Sequence, residues 1–125
     1  MICDIRHIED IGALNTNSKI EQIIEIVCEY NELSILNKRI VPSSGFNVLY
    51  KLTESYIILH TFPEIKHLVF DFYTSLEYDD IEPFNLIYDF LLLAFQANST
   101  LSSMEITDIN FDEIDNLLDV NRNEV

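Results

Sequence analysis

Polar side chains that interrupt apolar, strand-like segments are the residues of this sequence best suited to chemistry. A serine hydroxyl can act as a nucleophile, and a histidine imidazole transfers protons near neutral pH. Ser55 and His60 are such residues, five positions apart. In one uninterrupted strand this odd spacing predicts opposite faces of a sheet. The two share a site only if the chain bends or bulges between them, or if their backbone positions are offset. The other polar interruptions are Glu54, Thr61, Glu64, Asp71 and Ser75.

Spacing alone leaves a second interpretation open for the imidazole. His60 would then end a strand and hydrogen-bond a neighbouring carbonyl. The sequence contains no motif for other kinds of functional site. No cluster of His, Cys, Asp and Glu has metal-ligand spacing, no glycine-rich loop could hold a phosphate, and no nucleophile elbow occurs. The sequence therefore predicts no metal.

The two cysteines and the apolar segments indicate the environment of the chain. Cys3 and Cys28 are too few for a disulfide scaffold, and Cys28 falls in an apolar helical pattern that predicts burial. We see neither a secretory signal pattern nor a run of about 18 apolar residues, the length that a membrane-spanning helix requires. A reducing, cytoplasmic setting is the expectation, with no membrane association.

The elements that must position these side chains can be read from periodicity and turn residues. A capping box at Ser18 and an apolar stripe ending at Tyr30 predict a helix that ends near Asn31. An acidic turn before Pro83 predicts a second helix, which runs from about Pro83 to Ala97. Its predicted buried residues are Leu86, Ile87, Phe90, Leu91, Leu93 and Ala94. Strands are predicted over Leu33–Ile40, Phe46–Tyr50, Tyr56–His60, His67–Tyr73 and Leu101–Ile109, with a loop at Pro42–Gly45 and with Lys51–Ser55 as a connection or a strand extension.

This order of elements predicts the fold class. Strand, helix, several strands, helix and strand indicate an α+β two-layer sandwich, with both helices on one face of a largely antiparallel sheet. Residues 1–109 form the predicted domain, and residues 110–125 are an acidic tail that either frays or docks as a short helix.

Length and charge limit the function classes. A chain of 125 residues that is 48% hydrophobic is long enough for one stable core. Its formal net charge of -15 repels phosphate backbones and anionic lipids, so nucleic-acid and membrane binding are not expected. Such a charge favours a cationic small molecule or a basic partner, although solubility alone would also explain it.

Four short segments in and around these polar residues follow one another at a definite spacing. They are Ser44–Gly45, Leu52–Ser55, Ile58–Glu64 and Asp71–Thr74, with five positions from Ser55 to His60 and twenty from Ser55 to Ser75. In this order and spacing they resemble the bacterial and archaeal S-adenosylmethionine decarboxylases, which carry a Ser-Gly pair, a Glu-Ser-His cleavage motif, a His-Thr-aromatic-Pro-Glu motif and an Asp-x-aromatic-Thr-Cys motif. The resemblance extends over roughly Ser18 to Ala97.

The resemblance implies specific chemistry. Members of that family are proenzymes that cut themselves before the motif serine, here between Glu54 and Ser55, and convert the serine into a pyruvoyl group through an ester and dehydroalanine. The residue that matches His60 transfers a proton in the elimination, and Glu54 and Glu64 fall at substrate-binding positions. In the mature enzyme the pyruvoyl carbonyl forms a Schiff base with S-adenosylmethionine and accepts the electrons left by carbon dioxide. The product donates aminopropyl groups in polyamine synthesis.

Two positions depart from the family pattern. Tyr56 stands where the cleavage motif has histidine, and Ser75 stands where the family has its catalytic cysteine. That thiol returns a proton to the substrate carbon, and a free thiol, with a pKa of about 8.5, is a far stronger acid than an aliphatic hydroxyl. General acid–base catalysis is typically worth about 10²–10⁴-fold, so Ser75 predicts weakened decarboxylation while leaving self-processing possible.

Two further interpretations follow from these departures. One is a weak or inactive homologue that serves as a binding or regulatory subunit, and the other is a decarboxylase of another amino acid such as arginine or ornithine. The resemblance also implies a homodimer in which two sheets pack between outer helix layers. His67–Tyr73 is apolar on both faces, which agrees with a covered second face, although the chain's own tail would be an alternative cover.

Overall fold

Six strands and two helices make up the part of the chain that the structure, a computed structural model, describes. It describes residues 1–9, 12, 14, 17–43, 45–76 and 78–107. The strands are β1 (Ile2–Arg6), β2 (Ile35–Ser43), β3 (Gly45–Leu52), β4 (Ser55–Phe62), β5 (His67–Thr74) and β6 (Ser103–Glu105), and the helices are α1 (Asn17–Tyr30) and α2 (Glu82–Ala94). The predicted acidic tail, residues 110–125, lies outside the described residues, so the domain boundary at residue 109 stays a prediction.

All six strands form one antiparallel sheet. Their order is β2-β3-β4-β5-β1-β6, and each neighbouring pair runs antiparallel. The two helices cover one face of this sheet, which confirms the predicted α+β sandwich. No helix in the described ranges is long and apolar enough to cross a bilayer.

The core lies between the sheet and the helices. In α1 the predicted stripe of Ile20, Ile23, Ile24 and Val27 is buried, whereas Tyr30, predicted as its last member, is 78% exposed. In α2 the buried residues are Ile87 and Leu91. The prediction that Leu86 and Leu93 are also buried is wrong, because both fall on the outer side of a 3.6-residue period that places Ile87 and Leu91 inward.

Several element boundaries differ from the prediction for local reasons. Helix α2 ends at Ala94 instead of Ala97, because Gln96 takes a left-handed conformation (φ 51°) and the amide of Ala97 donates to the carbonyl of Leu92, a Schellman-type end. Strand β2 continues through Pro42, which was predicted to be in a loop. An edge strand tolerates proline, since the amide that proline lacks would face solvent.

Strand β4 divides its side chains between the two faces of the sheet. Ser55, Ile57, Leu59 and Thr61 are buried beneath the helices, while Tyr56, Ile58, His60 and Phe62 lie on the face without helices, called the open face below. Residues Lys51 and Leu52 extend β3, so the β3–β4 hairpin turns through Thr53 and Glu54 alone. This hairpin and this alternation position the candidate site.

Candidate active site

Ser55 is the first residue of β4 and its hydroxyl is buried beneath the helix layer. It is 1% exposed, and its Oγ donates a hydrogen bond to Thr74 Oγ1 at 3.0 Å. Thr74 lies directly opposite Ser55 in the β4–β5 register, and its Oγ1 also accepts a hydrogen bond from the backbone amide of Leu76 at 3.0 Å. The serine therefore sits in a small hydroxyl network. Among the described residues, no imidazole or carboxylate hydrogen-bonds to this pair.

The carbonyl group that precedes Ser55 is held by two donors from one residue. The backbone amide of Ser75 donates to the Glu54 carbonyl oxygen at 3.1 Å, and the Ser75 hydroxyl donates to the same oxygen at 3.0 Å. Two donors on one carbonyl oxygen polarise the carbon toward a nucleophile and stabilise the negative charge that an attack creates. Glu54, Ser55 and Ser75, three of the predicted site residues, thus meet at one bond.

Neither residue of the Glu54–Ser55 peptide bond has a left-handed backbone conformation. In the described part of the chain, the non-glycine residues with positive φ are His7, Glu32, Lys66 and Gln96. Gly45, from the predicted Ser-Gly pair, has φ 98° and lies against Thr61, while Ser44 is outside the described residues. The polarisation of the Glu54 carbonyl comes from its hydrogen bonds.

His60 lies at the other end of β4 and on the open face. Pairing of β4 with β3 and β5 is continuous, so no bulge turns His60 toward Ser55. At about 3.3 Å per residue, five residues separate their Cα atoms by roughly 16 Å. The partner of His60 is a side chain: Asn47 Oδ1 lies 2.7 Å from Nδ1, so His60 contacts a carbonyl oxygen of the neighbouring strand, as the second interpretation expects, although β4 continues to Phe62.

A second polar cluster on the open face escaped the sequence interpretation. His67 Nε2 contacts Asp4 Oδ1, and Arg6 donates from Nη2 to Asp4 Oδ2 at 3.0 Å. Burial raises the pKa of Asp4, but the hydrogen bonds and charges of His67 and Arg6 outweigh it and leave that pKa below its usual value. The Phe62 ring stacks on His67 at 5.5 Å. Asp4 and Arg6 are two apart in β1, the spacing that puts two strand residues on one face.

The remaining predicted site residues are exposed and far apart along the fold. The Glu54 side chain projects from the hairpin loop. Glu64 lies in the 3-10 turn Pro63–Ile65 that follows β4, at the His60 end. The five predicted site residues thus form two groups at opposite ends of β4: Glu54, Ser55 and Ser75 at the start, and His60 and Glu64 at or after the end.

A cavity of about 620 Å³ opens beside Ser75. Thr74 and Ser75 line it on the β5 side, and Asp79, Asp80 and aromatic rings line it on the α2 side. Among those rings, Tyr78 and Phe84 contact edge to face at 5.0 Å. Carboxylates and aromatic faces together suit a ligand that carries a positive charge and a flat ring. The described residues contain no group of three or more His, Cys, Asp or Glu that could hold a metal ion.

Neither cysteine thiol reaches this cavity. Cys3 and Cys28 are fully or almost fully buried in the core. Burial raises the pKa of Cys3 to about 12, and burial followed by the charge of Glu25 raises the pKa of Cys28 to about 11. Both thiols are therefore weak acids shielded from solvent. Neither is placed to substitute for the cysteine that the family pattern has at the position of Ser75.

Comparisons with known proteins give one family and one similar fold. The family model described as S-adenosylmethionine decarboxylase matches residues 1–106. A crystal structure described as the adenosylmethionine decarboxylase from Aquifex aeolicus VF5 is similar in fold, with a TM-score of 0.62 and 13% sequence identity over 87% of this chain and 92% of that chain. A search of curated proteins finds no match.

Proposed function

The chain belongs to the S-adenosylmethionine decarboxylase family, and we propose that it is a self-processing, pyruvoyl-dependent decarboxylase of S-adenosylmethionine that acts in polyamine synthesis. One observation carries the proposal. The carbonyl oxygen of Glu54, at the bond that would be cut, accepts hydrogen bonds from both the amide and the hydroxyl of Ser75. The bond that self-processing must attack is the bond that these two donors polarise.

The cleavage follows from the groups at this bond. The Ser55 hydroxyl oxygen adds to the Glu54 carbonyl carbon, the carbon–nitrogen bond breaks, and an ester and a free amine result. Thr74, which accepts the Ser55 hydrogen bond, provides the first path for the departing proton. Removal of the Ser55 Cα hydrogen then breaks the bond between Cβ and Oγ and releases Glu54 as a carboxylate. The dehydroalanine left behind hydrolyses to a pyruvoyl group and ammonia.

The residues around Ser55 fit such a group. A pyruvoyl carbonyl at this position supplies the electron sink for decarboxylation of an amino acid. It would lie next to Ser75, which borders the cavity beside α2. In that cavity Asp79 and Asp80 would attract the sulfonium and ammonium charges of S-adenosylmethionine, and the rings of Tyr78 and Phe84 would contact its adenine.

The base for the elimination must come from a second copy of the chain. His60 lies about 16 Å from Ser55 along the same strand and on the opposite face. A two-fold axis between two facing sheets, crossing β4 near Ile57 and Ile58, would reverse the strand and bring His60 of the partner subunit over residue 55. The Cα hydrogen of an extended residue projects away from its side chain, so a base on the open face meets the hydrogen that must be removed.

The composition of the open face supports a homodimer. Ile58, Leu49 and Val69 lie half-buried on it, and the rings of Tyr56 and Tyr73 stack at 5.1 Å. Ile2, the first residue of β1, is 48% exposed on this face, opposite Asp71 in the register. An apolar sheet face of this kind is stabilised by a partner surface, and a second copy offers an identical one. The Tyr56 departure thus falls on the interface and not on the bond to be cut.

Ser75 limits the second half of the reaction. After loss of carbon dioxide the substrate carbon must regain a proton, and a serine hydroxyl is a far weaker acid than the thiol of the family pattern. We therefore propose that self-processing is more efficient than decarboxylation in this chain, with water delivering the proton through the cavity beside Ser75. A cytoplasmic setting would suit the two reduced core thiols.

Two other functions have their own supporting observations. Ser75 in place of a thiol supports a homologue that binds the substrate or a partner subunit without turning substrate over. A cavity with two carboxylates would also accept the cationic side chain of arginine or ornithine.

Intact mass and a denaturing gel test the main proposal. Processing yields fragments of 54 and 71 residues, and the larger one begins with a blocked pyruvoyl end. A Ser55→Ala variant is the matched control and stays as one chain. A single uncut wild-type chain would contradict self-processing and leave the binding homologue as the function. If cleavage occurs, release of labelled carbon dioxide from carboxyl-labelled S-adenosylmethionine, arginine and ornithine identifies the substrate.

A further inference from the structure

We infer that Asn47 is a positioning residue for His60, which fixes the imidazole in the tautomer that leaves Nε2 free to accept a proton; the inference rests on the proposed self-processing. Asn47 Oδ1 lies 2.7 Å from His60 Nδ1. Because an amide oxygen only accepts hydrogen bonds, Nδ1 carries the hydrogen of this contact. A neutral imidazole has one N–H, so Nε2 is left with its lone pair.

The two strands hold this contact in place. Asn47 and His60 are directly opposite each other in the β3–β4 register. On the other face the flanking residues are locked, because the Phe46 amide donates to Thr61 Oγ1 at 2.7 Å and the same hydroxyl donates to the Phe46 carbonyl at 3.2 Å. A Cβ on Gly45 would lie 2.4 Å from the Thr61 carbonyl oxygen, so the two backbones approach closely here. The imidazole is oriented before any partner arrives.

The type of residue at position 47 matters for a base. The titratable neighbours of His60 on the open face are His67 and Asp71, which lie on diagonal positions of β5, while Val69 is directly opposite. Asn47 orients the ring from β3 without adding a carboxylate, whose charge would favour the protonated imidazolium. A neutral imidazole with a free Nε2 is the form that removes the Ser55 Cα hydrogen in the partner subunit.

His67 provides an internal comparison on the same face. Its Nε2 contacts the Asp4 carboxylate, which only accepts, so Nε2 of His67 carries a hydrogen. The two histidines are therefore expected in opposite tautomers. The chain contains three histidines, and a His60→Gln variant identifies the signals of His60.

Long-range proton–nitrogen NMR spectra of histidine-labelled protein at pH 8 test the inference, because protonated and unprotonated ring nitrogens have well-separated shifts. In the wild type we expect protonated Nδ1 for His60 and protonated Nε2 for His67. Asn47→Asp, which keeps the acceptor, retains the His60 tautomer. Asn47→Leu, which keeps the approximate size, loses it while His67 and the backbone amide spectrum stay unchanged. A wild-type His60 with protonated Nε2, or an unchanged tautomer in Asn47→Leu, would overturn the inference.

Cleavage of the same samples connects the tautomer to the reaction. We expect Asn47→Leu to slow the appearance of the 71-residue fragment by about 10- to 100-fold, at or below the lower end of what loss of a general base costs. Asn47→Asp should recover part of this rate, because its carboxylate restores the acceptor for Nδ1 but favours the imidazolium. If the tautomer changes and the wild type cleaves, an unaltered rate in Asn47→Leu overturns the positioning role. An uncut wild-type chain contradicts the proposed function, while the spectra still decide whether Asn47 sets the tautomer.

Discussion

At its first residue β4 presents Ser55 to the helix-covered face, and at its sixth it presents His60 to the open face. The Ser55 end contains hydroxyls and a polarised carbonyl, with Thr74 and Ser75 as the contacts. The His60 end contains an imidazole held by Asn47, beside the Asp4 cluster. In the proposed reaction the first end would supply a nucleophile and its target without a base, and the second would supply a base without a target.

The difference between the two ends is the reason why one chain alone would not complete the proposed site. Side chains alternate along a strand, so an odd spacing between nucleophile and base keeps them on opposite faces however the rest of the chain folds. A bulge would correct the facing, but the pairing of β4 is continuous on both sides. In the proposed dimer, a second copy that faces the open side would join the two ends without deforming either strand.

Mixing two defective variants is the strongest test of whether Ser55 of one subunit and His60 of the other act together. Ser55→Ala is expected to abolish cleavage, because it removes the hydroxyl that attacks the Glu54 carbonyl in the proposed reaction. His60→Ala is expected to slow formation of the pyruvoyl fragment by about 10²–10⁴-fold. Co-expressed, the Ser55→Ala chain supplies His60 and the His60→Ala chain is cut. Mass spectrometry with differently tagged chains distinguishes which chain is cleaved.

The result that contradicts the arrangement is equally clear. If His60→Ala alone is processed at the wild-type rate, or if the mixture stays uncut although the tagged chains co-purify, the two ends of β4 do not cooperate between subunits. Each variant alone serves as the control for the mixture.

Removing one donor at the Ser55 end is expected to have the next largest effect. Ser75→Ala deletes the hydroxyl donor but keeps the hydrogen bond from the backbone amide of residue 75 to the Glu54 carbonyl oxygen. Because Ser75 is exposed, cleavage should slow by up to about 10²-fold, the lower end of the range for one such donor. Ser75→Cys should preserve cleavage and increase carbon dioxide release by about 10²–10⁴-fold. Gel densitometry and labelled-carbon release measure the two steps. No gain in Ser75→Cys would show that the missing thiol is not what limits turnover.

The backbone at the His60 end can be disturbed separately. Gly45→Ala would place a Cβ 2.4 Å from the Thr61 carbonyl oxygen at φ 98°, a conformation that side chains rarely adopt. We expect a loss of about 1–3 kcal/mol in the free energy of unfolding, measured by urea titration. Thr53→Ala, in the exposed hairpin loop at the Ser55 end, is the control and should change little. Equal stability of Gly45→Ala and wild type would mean that the strands do not approach as closely as described.

The polar cluster on the open face should give the smallest effect. The pKa of Asp4 is lowered in the folded chain, so its stabilisation is complete above the unfolded value of about 3.9 and is lost as the pH falls through the folded value. Asp4→Asn should reduce the free energy of unfolding by less than about 1 kcal/mol at pH 7, because the group is partly exposed. The difference in urea midpoint between wild type and Asp4→Asn should be smaller at pH 3 than at pH 7. A difference that stays constant with pH would assign no role to the Asp4 charge.

Much of the architecture was accessible from local patterns. The stripe of Ile20, Ile23, Ile24 and Val27 predicted α1, and β-branched and aromatic runs predicted β3, β4 and β5. The prediction failed where a non-local context decides. Pro42 is tolerated because β2 is at the edge of the sheet, and Leu93 is exposed because its helix turns that side outward.

The candidate site shows the same limit. The spacing of Ser55 and His60 was enough to predict opposite faces, since alternation along a strand is a local property. The contacts that give them chemistry join distant positions: Asn47 is 13 residues from His60, and Ser75 is 21 residues from Glu54. No periodicity within one strand indicates which residue of the neighbouring strand lies opposite.

Sequence patterns were enough to predict most element types, the family resemblance and the facing of the side chains along β4, because short segments of the chain carry each of them. The hydrogen bonds from Ser75 to the Glu54 carbonyl, and the contacts of Asn47 with His60 and of Asp4 with His67, are visible only in the folded protein. Strand order and register decide these contacts, and they are set by how the whole sheet packs against its helices.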